Sequence, residues 1–352
     1  MNVGIYTKYT HGDEAYLAAR LVAFVQQNGA SPAVYSSTPP ARLGFSFDRQ
    51  VADKSTQKYT DWLVGKHVVI WTHVPPIEQL ICARKRGLMT VIAPMWQELR
   101  PPFRRTLKAA DYLVAFSLEA RDLYKAIFKF KNVVLVPFDS GIPPFRKNSV
   151  SEKETKIFLP WFDANARCSQ SEFLTEIKNL LVNFSQVYLT VAISSSRFSP
   201  AACKFFRGLA KQTGRLSLVR NVKPAHRPAL YMRNDLTIFP AECDNYGLCS
   251  LTSIACGTPV VSFGVAPQTD FIYPSSNGVL VKTKIDYDEN GVPFARPNYS
   301  KYFIAVQELL SDTKYLENMQ SRITYNMSAR KKSFELGWYA LAGLDIPTAA
   351  QK

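Results

Sequence analysis

Apolar residues along this chain fall into two alternating rhythms. Val3 to Tyr6 is a short unbroken apolar run, the mark of a buried strand. After the loop Thr10-His11-Gly12-Asp13-Glu14, apolar residues recur at Leu17, Leu21, Phe24 and Val25. That spacing of four, three and one lays them on one face of a helix ending near Asn28-Gly29. Pro32 to Ser36 then begins a second strand. Strand, glycine-containing loop, helix, strand is the opening of a doubly wound sheet.

The alternation continues. Strands are predicted at His67 to Thr72, Leu88 to Ala93, Tyr112 to Phe116 and Asn132 to Pro137. Helices at Pro76 to Arg86, around Arg104 to Ala109 and at Glu119 to Phe128 separate them, an order that suits parallel strands better than hairpins. From Asp139 to Thr155 the pattern breaks into Gly141-Ile142-Pro143-Pro144 and a polar run, which is linker composition. It restarts with strands at Lys156 to Leu159, Val187 to Ile193, Leu216 to Arg220, Leu236 to Phe239 and Pro259 to Phe263. Helices at Ser171 to Val182, Pro200 to Gln212 and about Leu248 to Cys256 alternate with them, and Tyr302 to Leu310 and Lys314 to Arg330 also read as helical. The chain is therefore read as α/β with two Rossmann-like domains facing across a cleft, residues 1–145 and 151–330. A C-terminal helix at about 331–352, carrying Trp338 to Leu344, either crosses back to the first domain or stays on the second.

Composition excludes some classes. Hydrophobic residues make up 47% and charged residues 20%, a globular balance. No apolar run approaches the ~18 residues of a bilayer-spanning helix. Val3 to Tyr6 reads as a first strand with no secretory leader, so cytoplasmic residence is expected, with peripheral membrane attachment as the alternative. Cysteines 82, 168, 203, 243, 249 and 256 form no C-x-x-C pair and match no common zinc spacing, so no metal is predicted. Gly-x-Gly-x-x-Gly is absent after the first strand, which argues against a NAD enzyme.

Charge adds more. The formal net charge is +15, and between Cys82 and Lys147 there are 13 basic residues against 5 acidic ones. Arg84-Lys85-Arg86, Arg100, Arg104, Arg105, Lys108, Arg121, Lys125, Lys129 and Lys131 lie there. Such a concentration attracts a polyanion or an anionic bilayer; the alternative is a solvated basic face with no partner.

The segment from Leu236 to Phe263 carries the chemistry. A strand ends at Pro240, and an acidic loop leads into a helix start around Tyr246 to Leu248. This presents backbone N–H groups and a positive dipole end beside a carboxylate. Phosphate oxygens suit the N–H groups and sugar hydroxyls suit Asp244; equally, Asp244 or Asn245 suits the role of helix cap.

Phe239-Pro240, Asp244-Asn245-Tyr246-Gly247-Leu248 and Ala255-Cys256-Gly257-Thr258-Pro259-Val260-Val261 together resemble the donor signature of retaining GT-B glycosyltransferases of family 4 (group 1). The likeness extends through Pro267-Gln268-Thr269-Asp270, Asn277-Gly278-Val279-Leu280-Val281, Leu230-Tyr231, Asn234-Asp235-Leu236, the interdomain Asn132 to Ile142, and the opening strand with His11-Gly12-Asp13. The resemblance implies a nucleotide-sugar donor, a UDP-sugar first, with no prosthetic group and no metal. It places the acid that contacts the donor sugar at Asp244, with Gly12, Asn245, Tyr246, Gly247 and Leu248 around the donor. The family's ribose-gripping Glu falls on Thr252, a hydroxyl able to make one such bond. Diphosphate contacts fall to Arg167, with Arg197 and Lys204 behind it. His73 matches a histidine-bearing strand end of the family's catalytic cleft, although a structural histidine fits the same place. A second family histidine falls near Met95 or Trp96, and Trp96 either stacks on a sugar or base or fills core.

The resemblance also implies retention of anomeric configuration through attack on the leaving-group face. It puts the acceptor on the N-terminal domain, near His11, Asp13, Trp96, Arg100, Arg104 and Arg105. DNA bearing a hydroxymethylated base, as in virus-type DNA glycosyltransferases, is the first expectation, with Trp96, Phe103 or Tyr112 near a flipped base. A lipid-linked or polysaccharide acceptor at an anionic membrane, docked on Arg100-Pro101-Pro102-Phe103-Arg104-Arg105, is the second. A non-catalytic nucleotide-sugar binder is the third. The sequence leaves the oligomeric state open.

Overall fold

The computed structural model describes residues 1–7, 13–36, 51–52, 59–126, 128–143, 145, 154–161, 170–193, 200–342 and 344. The chain divides into two compact units. One comprises Met1–Gly141, Glu289–Val292 and Arg330–Lys352; the other comprises Ile142–Asp288 and Pro293–Ala329.

Among the described residues the first unit holds seven strands: β1 (Asn2–Thr7), β2 (Ser31–Ser36), β3 (Val51–Ala52), β4 (Val68–Trp71), β5 (Met89–Ile92), β6 (Tyr112–Ala115) and β7 (Val133–Leu135). They lie in the order β3-β2-β1-β4-β5-β6-β7, every pair parallel. Helices α1 (Asp13–Gln27), α2 (Tyr59–Trp62), α3 (Ile77–Lys85), α4 (Pro101–Ala109) and α5 (Leu118–Ala126) connect them. Val3, Ile5, Val69, Ile70, Trp71, Val91 and Ile92 are fully buried, so adjacent residues of one strand are both hidden. Both faces of the sheet are covered, which is why these strands read as continuous apolar runs.

The second unit repeats the plan with β8 (Thr155–Trp161), β9 (Val187–Ile193), β10 (Leu216–Arg220), β11 (Leu236–Phe239), β12 (Val260–Phe263) and β13 (Gly278–Val281). Their order is β10-β9-β8-β11-β12-β13, again all parallel. Helices α6 (Gln170–Asn183), α7 (Pro200–Thr213), α8 (Arg227–Met232), α9 (Leu248–Ala255), α10 (Tyr299–Ser311) and α11 (Thr313–Arg322) belong to it. Its core gathers Trp161, Phe173, Phe206, Phe263, Tyr299, Tyr302 and Phe303 around Leu and Val side chains of the strands.

Two features depart from the sequence reading. Lys284–Tyr287 (β14) and Pro293–Arg296 (β15) form an antiparallel hairpin, cross-linked by Arg296 Nε donating to Asp286 Oδ2 at 2.7 Å. The expected single helix over Lys314 to Arg330 is two, because α11 ends at Arg322 and α12 runs Thr324–Ala342. From Arg330 onward α12 counts with the first unit, so the C-terminal helix returns to the N-terminal sheet. There Phe334 meets Phe24 and Phe138 edge-on at 6.4 Å each, and Arg330 Nε donates to Phe138 O at 2.7 Å. Gly337 permits this approach: a Cβ on it would sit 2.8 Å from a Val136 methyl.

Candidate active site

Each sheet reverses its winding once, between β1 and β4 and between β8 and β11. Loops leaving the carboxyl ends of those strands are where open α/β sheets bind ligands. The loop after β11 is Pro240 to Gly247, and the loop after β4 begins at Thr72 and His73. The sequence-predicted acid and histidine therefore both sit at switch points of their own sheets.

In the second unit Asp244 closes the turn that launches α9. Its Oδ1 accepts the backbone N–H of Tyr246 at 3.3 Å and of Gly247 at 3.1 Å, and its Oδ2 accepts Gln268 Nε2 at 3.0 Å. These bonds close a turn ahead of α9, whose N-cap is Gly247 with no side-chain cap bond, so Asp244 does not take the helix-cap role, and it is only half-buried. Gly247 is left-handed (φ 71°), and a Cβ there would fall 2.4 Å from the Phe271 ring. Only glycine fits. Leu251 N is the first helix amide bonded back, to Gly247 O at 2.8 Å, so the amides of Leu248 to Ser250 lie ahead of it at the positive helix end.

The remaining predicted donor residues sort by burial. Tyr246, Leu248 and Thr252 are buried, while Asn245 is half-buried. Lys204 is exposed on α7. Gly12, His11, Arg167 and Arg197 lie outside the described residues, and Asp13 opens α1. Burial pushes the Cys256 thiol, just past α9, up to about 12. Tyr231 beside it is raised well above the ordinary tyrosine value, by burial first and then by Cys249.

Two residues of this site escaped the sequence reading. Gln268 is fully buried, and its Oε1 has no hydrogen-bond partner among the described residues. Glu242 is pinned by Tyr299, whose hydroxyl donates to Oε1 at 3.2 Å, and by Ala295, whose N–H donates to the Glu242 carbonyl at 2.7 Å. Glu242 is signalled by position, two residues before Asp244, and Gln268 by its place in the Pro267-Gln268-Thr269-Asp270 likeness after β12.

In the first unit His73 is 1% exposed and its ring lies 5.2 Å from that of Tyr6, which stacks in turn on Tyr35 at 5.1 Å. Trp96 is also buried and meets Tyr124 edge-on at 6.4 Å, so of its two expected roles it takes core filling. The loops bearing these residues are tied by a carboxylate that the sequence did not single out. Glu98, 6% exposed, accepts Val74 N–H through Oε1 and Met95 N–H through Oε2, both at 3.1 Å. Tyr124 is raised above the ordinary tyrosine value by burial and then by the Glu98 charge.

The basic segment is spread over helix ends of the same unit. Arg84, Lys85 and Arg86 are exposed at the end of α3, and Arg100, Arg105 and Lys108 are exposed at or on α4. Arg84 Nη1 donates to Ala109 O at 2.8 Å, which ties the α3 and α4 ends together. Arg104 is half-buried, its guanidinium 4.8 Å over the Phe128 ring, and Arg100 lies 5.6 Å over Phe103. Tyr112, at 36% exposure, stands at the start of β6. It is therefore at the opposite end of the parallel strands from His73 and does not join it. Among the described residues no helix is long and apolar enough to cross a membrane.

No protein-family model matches the chain. A D-inositol 3-phosphate glycosyltransferase of Jonesia denitrificans is 29% identical over 151 residues, 42% of this chain and 31% of that protein. The enzyme of the same name from Thermobispora bispora is 38% identical over 76 residues, 21% of this chain and 18% of that protein. The chain thus matches less than a third of the length of these relatives. Whole-fold likeness is far broader. A glycosyltransferase from Rickettsia africae superposes with a TM-score of 0.70 at 11% identity, covering 97% of this chain and 98% of that one. Anabaena HepE, solved with UDP-glucose, gives 0.67 at 12% identity over 98% and 100%. Sucrose-phosphate synthase from Thermosynechococcus elongatus gives 0.66 at 13% identity over 97% and 96%. The fold is GT-B. Two doubly wound units with a C-terminal helix returning to the first are its two-domain plan, as the donor-signature resemblance implied.

Proposed function

We propose that this chain is a glycosyltransferase that moves a sugar from a nucleotide diphosphate, UDP first, to an acceptor hydroxyl with retention. The turn from Asp244 to Leu248 carries the reading: a half-buried carboxylate and a helix N-terminus share one loop at a sheet switch point. The carboxylate suits sugar hydroxyl donors and the first-turn amides suit phosphate oxygens. The partial relatives named as glycosyltransferases support it, as does a fold neighbour solved with UDP-glucose.

In the reaction the bond from the anomeric carbon to the diphosphate oxygen breaks and a bond to the acceptor oxygen forms on the same face. The diphosphate leaves with the electron pair, and the acceptor proton passes to the departing phosphate oxygen. Helix amides and cations stabilise the growing phosphate charge, an electrostatic contribution that no covalent enzyme intermediate has to supplement. His73, at the carboxyl end of β4 in the first unit, is the residue proposed there for the transfer, as the family resemblance implies.

The acceptor is read as anionic, because Lys85, Arg86, Arg100, Arg105 and Lys108 are exposed on helix ends of the first unit. DNA bearing a hydroxymethylated base remains the first reading, its phosphates matched to those side chains. The names of the inositol-phosphate relatives favour a second, a small phosphorylated polyol.

A thermal-shift and transfer screen tests both levels. A UDP-sugar at a hundredfold excess over its Kd raises stability by about 2.7 kcal/mol, read as a higher Tm. Salt-sensitive transfer to hydroxymethylated duplex DNA, to an inositol phosphate or to a lipid acceptor on anionic vesicles then ranks the acceptors. If no nucleotide sugar raises Tm and none is hydrolysed or transferred, the reading is wrong.

A further inference from the structure

We propose that Gln268 is the positioning residue of the donor-sugar carboxylate: it fixes the side-chain direction of Asp244 and holds that group ionised. The inference rests on the donor role given to Asp244 above, but its geometry stands independently.

The Gln268–Asp270 turn follows β12 and brackets the Asp244 loop at two points. Phe271 fills the space beside Gly247, where a Cβ would lie 2.4 Å from its ring, and Gln268 Nε2 donates to Asp244 Oδ2 at 3.0 Å. Gln268 is fully buried, while Asp244 is half-buried. A side chain sealed from solvent therefore grips one that a ligand can reach.

The orientation of the amide is set by charge. A glutamine flipped end for end would turn Oε1 toward a carboxylate oxygen, acceptor against acceptor. With Nε2 toward Asp244, Oε1 is left buried and without a partner among the described residues. A buried acceptor left unpaired is unfavourable. The fold carries that penalty here, next to the carboxylate, and a residue chosen for packing alone gives no reason for it. The penalty follows directly if the amide exists to donate to an ionised acid. Asp244 then receives three donors, two from its own turn and one from Gln268, which hold it charged and aimed. Among the described residues, other titratable groups on the surrounding elements include Glu242, Cys243, Tyr246, Cys249 and Asp270; Glu242 accepts Tyr299 and thus has its own donor.

Two substitutions of similar size test this. Gln268→Glu places a second carboxylate within hydrogen-bond distance of Asp244, and two such acids do not both ionise at their ordinary values. Carbon-13 NMR of labelled Asp carboxyls, run without any donor, should then show a titration near Asp244 raised by roughly one pH unit or more. The acid limb of kcat/KM for the UDP-sugar should move up by the same amount. Gln268→Met removes the donor without adding charge and should raise donor KM about tenfold while the acid limb moves by less. Unchanged NMR titration and unchanged donor KM in both folded variants would overturn the proposal. Should Gln268→Glu show the raised titration while wild type binds no nucleotide sugar, the positioning stands and the donor reading fails instead.

Discussion

Two carboxylates sit in loops at carboxyl ends of strands, one in each unit, and they are used in opposite ways. Glu98 is nearly sealed, and each of its oxygens accepts a backbone N–H from a different loop, one following β4 and one following β5. Asp244 is half-buried, accepts two amides from its own turn through one oxygen, and takes a side-chain amide on the other. An acid whose two oxygens accept fixed backbone donors ties those loops together. An accessible acid with an adjustable partner can exchange part of its bonding for a ligand. The difference lies in what faces the second oxygen.

Removing the sealed acid should have the largest effect on folding. Glu98→Ala leaves the amides of Val74 and Met95 buried without their acceptor, at about 1–3 kcal/mol for each such group, so about 3–4 kcal/mol is expected. Glu98→Gln should lose about 2 kcal/mol, since its NH2 must face one of two backbone donors. Urea unfolding measures both; a loss under 1 kcal/mol for Glu98→Ala would show that the loops do not need the tie.

The wider contrast explains what could be read from the chain beforehand. Strand and helix positions were legible, because parallel strands covered on both faces give uninterrupted apolar runs and the α1 helix gives a spacing of four, three and one. The β14–β15 hairpin is hard to read despite Asn290-Gly291 near its turn, because the alternation of Lys284-Ile285-Asp286-Tyr287 lasts only four residues and Pro293-Phe294-Ala295-Arg296 does not alternate. Asp244 stands out by its place in a signature, and of the helix-cap role that the residues equally allow the structure gives the N-cap position to Gly247. Glu98 carries no such mark, and Gln268 lies in the Pro267-Gln268-Thr269-Asp270 likeness without a role attached to it. Their importance depends on which amide lies opposite in space, and Gln268 reaches Asp244 from 24 residues away.

Cys256 supplies a third case, a buried acid kept neutral. Burial pushes its thiol up to about 12, whereas in the unfolded chain it ionises near its ordinary value of about 8.5. The folded state thus holds its proton longer. The stability this contributes is fully present below the unfolded value and is lost as pH rises toward the folded one. Relative to Cys256→Ala, wild type should lose about 1 kcal/mol for each pH unit above roughly 9, by urea midpoints at pH 7, 9 and 10. Parallel pH curves for the two proteins would place the thiol among donors, as Glu98 is.

Asp244→Asn should hardly change folding, within about 0.5 kcal/mol, and this is where the two carboxylates separate most cleanly. Asn closes such a turn as Asp does, and its carbonyl oxygen can keep the Tyr246 and Gly247 amides. Its NH2 then faces Gln268, which turns over and brings its orphaned Oε1 into a hydrogen bond. Transfer should nonetheless fall at least tenfold, because the sugar hydroxyls lose a charged acceptor. A Tm drop like that of Glu98→Gln, with activity retained, would make Asp244 a second structural acid.

The smallest folding effect is expected on the basic helix, where neither kind of carboxylate is involved. Arg105 and Lys108 are both exposed on α4, three positions apart, so they share its outer side. Reversing both to Glu removes four units of positive charge from one short surface while leaving Thr106 and Leu107 buried beneath it. Stability should stay within about 0.5 kcal/mol, since exposed charges contribute little to folding. Binding to an anionic acceptor should weaken and lose part of its salt dependence, because each phosphate contact releases counterions. Donor affinity should not move, as these residues and the Asp244 turn belong to different units. A double variant that transfers to the acceptor with wild-type salt dependence would leave α4 a solvated face, and the charge concentration would then serve no acceptor at all.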